Sequence, residues 1–119
     1  MAIKYEDLPP QVQNQIKQMQ QLQQQYEIIA QQRLQIEARL KETETAIEEL
    51  SKLSGEEAVY KAIGNLIVKA NKDKLLKELQ EDKESLEIRK KSLESQESRL
   101  KEKIEELQNK IQEALQSKG

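Results

Sequence analysis

Apolar residues recur at a spacing of seven through two long stretches of this chain, and a short run with a different pattern separates them. In the first stretch Val12, Met19, Tyr26, Leu40 and Ile47 share one series, with Arg33 as its charged member. Gln15, Leu22, Ile29, Ile36, Thr43 and Leu50 each follow three residues behind. In the second stretch Leu79, Leu86, Leu93, Leu100 and Leu107 form an unbroken leucine series. Its companion series is Leu76, Lys83, Lys90, Glu97, Ile104 and Ile111. A period of seven gives a stripe narrow enough for a two-helix coiled coil. Folded back antiparallel, the two seams match: Ile47 meets Leu79, Leu40 meets Leu86, Tyr26 meets Leu100, Leu22 meets Ile104 and Met19 meets Leu107.

The pattern predicts one unit over residues 1–119, mainly α, in which two long antiparallel helices are joined by one β-hairpin. Helix 1 is expected over about 10–53, the hairpin over about 58–70 and helix 2 over about 72–115. Residues 1–8 read as a short tail carrying Ile3, Tyr5 and Leu8. Pro9 and Pro10 mark the first helix start, where a missing N–H costs nothing. Some 43 helical residues make a rod of roughly 65 Å. Ser54 and Gly55 supply a stop, with Gly55 able to take the left-handed conformation past the helix end. Asn71 is a candidate cap for helix 2, and Asp73 suits its positive first turn.

Between the helices, Ala58-Val59-Tyr60-Lys61-Ala62-Ile63 and Leu66-Ile67-Val68-Lys69-Ala70 are rich in β-branched and aromatic residues and are linked by Gly64-Asn65. That is the signature of a tight hairpin. Its register puts Val59, Lys61, Ile63, Leu66, Val68 and Ala70 on one face. An isolated two-stranded hairpin is marginal in water, and this one has two open edges and an apolar face. The simplest resolution is that several hairpins assemble into a shared sheet or barrel, with Val59, Ile63, Leu66 and Val68 as the oligomerising residues.

The middle of the seam carries polar layers: Thr43 opposite Lys83, Ile36 opposite Lys90, Ile29 opposite Glu97, and Arg33 near enough to Glu97 to pair. Such layers either fix the register or soften the arms. At the helix ends remote from the hairpin, off-seam Ile16 and Leu115 join Leu8 and the seam residues Val12, Met19, Leu107 and Ile111. This cluster is either ordinary coiled-coil packing or a fraying apolar tip that holds non-native chain.

Composition narrows the chemistry. The 119 residues include no Trp, Phe, Cys or His, and only 35% are apolar, which suits a long coiled coil and not a globular core. Without Cys or His there is no disulfide framework, no thiolate or imidazole metal site and no histidine base. No enzyme activity, cofactor or metal is expected. Twenty basic residues are interleaved with 22 acidic ones, so no nucleic-acid footprint or membrane-surface patch stands out. No run approaches the roughly 18 apolar residues of a membrane span, and no signal peptide is visible, so a cytoplasmic protein is expected. Twelve of the 17 glutamines lie between Gln11 and Gln35, mostly off the seam, where Gln serves as a helix former on a solvated face.

The Leu8-Pro9-Pro10-Gln11-Val12-Gln13-Asn14-Gln15 run, the glutamine-rich stretch after it, and the central Val59-to-Lys69 segment resemble the β-type subunits of prefoldin. One hairpin per chain fits the β-type, since α-type subunits carry two. The resemblance implies a hexamer of two α-type and four β-type subunits, whose hairpins build β-barrels and whose coiled coils project as tentacles. It implies an ATP-independent holdase that binds unfolded polypeptides at the tips and delivers them to a group II chaperonin. No Gly-rich phosphate loop appears, in keeping with ATP independence. The partners implied are an α-type prefoldin subunit, further copies of this chain, unfolded clients and the chaperonin, with no nucleic acid or membrane. The rival reading is a structural coiled-coil adaptor for one folded partner; an RNA-binding helical arm is disfavoured by the balanced charge.

Overall fold

The computed structural model describes residues 4–116. Ile3 of the expected tail and the terminal Gly119 lie outside them. The elements are a short 3-10 turn (Tyr5–Asp7), helix α1 (Pro10–Ser51), strands β1 (Val59–Ile63) and β2 (Leu66–Ala70), and helix α2 (Lys72–Gln116). Two compact units divide the chain. Among the described residues, one holds residues 4–33 and 92–116, the other residues 34–91.

In the first unit, α1 starts where the prolines permit. The Pro9 carbonyl accepts the first helical bond, from the Gln13 N–H at 3.0 Å. Upstream, the residues read as a tail form a turn stitched to the helix. Gln13 Nε2 donates to the carbonyls of Tyr5 (3.1 Å) and Leu8 (3.0 Å), and the Tyr5 hydroxyl donates back to the Gln13 carbonyl at 3.2 Å. Arg33 of α1 pairs with Glu97 of α2, as the antiparallel register requires. Tyr26 lies beside Glu97 and Lys101, and Gln11 and Gln15 lie beside Lys110 and Glu113, so α2 numbers rise as α1 numbers fall. Val12 and Leu93 are buried here.

In the second unit, Ile36, Leu40, Leu50 and Val59 are buried. The final turn of α1 tightens: the N–H groups of Lys52 and Leu53 donate to the carbonyls of Glu49 (3.3 Å) and Leu50 (3.2 Å), three residues back. Such a 3-10 closure satisfies orphan carbonyls without a left-handed residue. Gly55 therefore does not use the left-handed conformation open to it; only Gly64 has positive φ among the described glycines. Lys72 Nζ donates to the Leu53 carbonyl across the chain reversal. Asn71 caps α2: its Oδ1 accepts the Lys74 N–H at 3.1 Å and its carbonyl accepts that of Leu75 at 2.9 Å.

Every residue of both heptad series, polar members included, is at least partly shielded. No described side chain is completely buried, because two helices alone cannot enclose a seam on all sides.

Candidate functional site

The hairpin is set by its turn. Gly64 has φ of 58°, while Asn65 has negative φ, the pattern of a type II′ turn with glycine first. The strands pair Val59 with Ala70, Lys61 with Val68 and Ile63 with Leu66, so these six share one face as the alternation predicts. Val59 is buried and Ala70 half-buried, whereas Ile63, Leu66 and Val68, nearer the turn, are exposed. Lys61, the one charged member of this face, pairs with Glu78 of α2 at 2.9 Å. The opposite face carries Tyr60, Ala62, Ile67 and Lys69. Ile67 is 75% exposed and Tyr60 is also open to solvent. Sequence reasoning passed over these two because it followed a single phase of the alternation; the other phase was legible in the same run. The hairpin thus exposes apolar side chains on both faces, with two unpaired edges.

The second candidate surface gathers at the start of α1 and the end of α2, within the first unit. Val12 is 4% exposed and belongs to the seam. Leu8, Ile16, Met19, Leu107 and Ile111 are half-buried, and Leu115 is exposed. Beside them Gln15 Oε1 is buried with no hydrogen-bond partner. All seven predicted residues fall in one unit, which does not contain the hairpin. Among the described residues no acidic cluster is placed to hold a metal ion. No described helix is long and apolar enough to cross a membrane.

The prefoldin subunit family model matches residues 13–118, nearly the whole of both helices and the hairpin between them. The chain belongs to the prefoldin subunit family. Within it the likeness is to β-type members. The prefoldin subunit beta of Archaeoglobus fulgidus is 55% identical over 83 residues, spanning 70% of this chain and 72% of the relative. That of Methanococcoides burtonii is 48% identical over the same length, spanning 70% and 71%. The crystal structure of the prefoldin beta subunit from Thermococcus strain KS-1 superposes with a TM-score of 0.85 at 43% identity, covering 92% of this chain and 96% of that one. In prefoldins the hairpins assemble into a β-barrel platform, and the family acts as a non-enzymatic chaperone. The open edges and bare apolar side chains of β1 and β2 are what such an assembly covers.

Proposed function

We propose that this chain is the β-type subunit of a cytoplasmic, ATP-independent holdase that assembles with an α-type prefoldin subunit and further copies of itself. It captures unfolded polypeptides at the coiled-coil ends, through Leu8, Val12, Ile16, Met19, Leu107, Ile111 and Leu115, and passes them to a group II chaperonin. The chain performs no catalysis. The observation that supports this reading is that the hairpin lies in one compact unit and the apolar helix ends in the other. The helix ends also carry an inbuilt weakness in the unpartnered Gln15 acceptor. A buried unpaired acceptor costs roughly 1–3 kcal/mol, so the final heptads open more readily than the rest of the seam. Opening presents Val12, Met19, Leu107 and Ile111 together. Each contact to a client is weak, and several arms acting on one chain supply the avidity.

The test is light scattering of a denatured client diluted into the assembled complex without ATP. Removing residues 1–11 and 112–119, or changing Ile16 and Leu115 to serine, should weaken suppression of aggregation severalfold at unchanged oligomer mass. Each apolar side chain lost from a client contact removes roughly 1.5–3 kcal/mol. Full protection by the altered complexes would place capture elsewhere.

A further inference from the structure

The chain enters α1 by doubling back on it. Leu8 is extended, and the 3-10 turn before it returns beside the first helical residues, so that Tyr5 meets Gln13. Gln13 Nε2 donates to the carbonyls of Tyr5 (3.1 Å), Glu6 (3.4 Å) and Leu8 (3.0 Å), and the Tyr5 hydroxyl donates to the Gln13 carbonyl at 3.2 Å. One side chain thus fastens the whole turn. Its position is unusual for that task. Pro9 caps the helix and Pro10 opens it, so Gln13 is the fourth helical residue. A hydrophobic staple would put an apolar residue there, packed on the residue before the cap, here Leu8. This chain has an amide instead, and only its bond to Leu8 is partly shielded from water. Exposed hydrogen bonds compete with water, and each adds little net stability. The turn is therefore held reversibly.

The burial of the adjoining seam calls for a cover. Val12 is the first residue of its heptad series, at the open end of the rod, where two helices shield a side chain least. Yet Val12 is 4% exposed, while Ile16, Met19, Leu107 and Ile111 in the same region are half-buried. Leu8 and Pro9, at the join of turn and helix, are themselves half-buried. The folded-back turn is the feature that the other seam layers lack.

We propose that residues 5–9 form a displaceable strap. It lies over the Val12 end of the seam when no client is bound, and a non-native chain that engages this end takes its place. This role rests on the reading of the helix ends as the capture surface. The strap shields an apolar seam from water until a client competes for it, and the client has only weak, exposed bonds to displace. Leu8 then changes partners, from the chain's own seam to the client. Because a client engages only the open form, its apparent affinity is reduced by the fraction of straps that are open. A fixed helix entry would have no such effect on capture.

The experiment loosens the fastening without removing an apolar group. Gln13→Glu has nearly the same shape, but a carboxylate has no hydrogen to donate to the three carbonyls. Its charge suits the positive end of α1, so the helix itself is not weakened. Tyr5→Phe removes the return bond and keeps the ring. Each variant is assembled into the full complex, and circular dichroism and oligomer mass should match the parent. Chymotrypsin cleavage after Tyr5 reads strap opening, since cleavage of a rapidly closing segment tracks its open population. Gln13→Glu should accelerate that cleavage about fivefold, the equivalent of one net hydrogen bond. It should also raise the fluorescence of anilinonaphthalene sulfonate, a dye that reports exposed apolar surface. Denatured citrate synthase diluted into the complex should then be protected at a severalfold lower chaperone concentration. Tyr5→Phe should shift all three readings the same way, by less. Faster cleavage with unchanged dye binding and unchanged protection overturns the strap and leaves the capture reading standing. A parent complex that protects nothing sinks the capture reading, and the strap's role with it.

Discussion

Gln15 shows how one residue can set the balance of a seam. It occupies a heptad position between Leu22 and the helix start, and its Oε1 is buried without a partner. Replacing it with leucine removes the unpaired acceptor and adds apolar area to the layer. Gln15→Leu should therefore raise stability by about 1–3 kcal/mol, read as a higher midpoint in urea at fixed protein concentration. A lower midpoint would mean that the glutamine is well solvated in the folded chain, and the softening role assigned to it would fail. Single residues with a role in the heptad were legible in the sequence: Arg33 and Glu97 were expected to pair, and they do. Tyr60 and Ile67 were not singled out, since only one phase of the strand alternation was followed. Gln13 was missed for a different reason. Its amide binds carbonyls of Tyr5, Glu6 and Leu8, a role fixed by side-chain geometry that no spacing rule encodes.

At the scale of elements, local chemistry decides where helices and strands begin and end. Asn71 is the clearest case, because its side chain accepts an N–H that would otherwise be orphaned in the first turn of α2. Asn71→Ala should cost about 1 kcal/mol, and Asn71→Asp should retain most of the stability, in thermal melts at one protein concentration. Equal melting of the alanine variant and the parent would show that the cap contributes nothing. The same reasoning made Pro10 and the Gly64-Asn65 turn legible, since each is a residue type suited to one backbone state. It was less exact at the end of α1. The expectation ran to about Leu53, with Gly55 able to turn left-handed, and the helix closes at Ser51 through bonds three residues back. Both closures satisfy the same carbonyls, and glycine permits the left-handed state without requiring it.

For the whole molecule, the deciding question is which face of the hairpin assembly conceals, because apolar side chains stand on both. The fold class was readable because the heptads and the two-residue turn agree, but a single sequence does not reveal which of two apolar faces lies inside an oligomer. The geometry supplies a criterion. Val59 and Ala70, at the helix-proximal end of one face, are already shielded by the chain itself, and Ile63, Leu66 and Val68 continue that face toward the turn. A barrel interior that extends the chain's own packing would take this face and leave Tyr60 and Ile67 outside. Lys61 on the inward face does not contradict this, because its ammonium is drawn off to Glu78. Val68→Asp would then place a carboxylate in the interior with no partner, at a cost of several kcal/mol repeated in every copy. It should dissociate the oligomer into small species by sedimentation while circular dichroism remains helical, since the heptad seams do not involve Val68. Ile67→Asp puts the same charge on the opposite face and should leave the oligomer mass unchanged. If Ile67→Asp dissociates the complex and Val68→Asp does not, the two faces are reversed, with Tyr60 and Ile67 forming the interior.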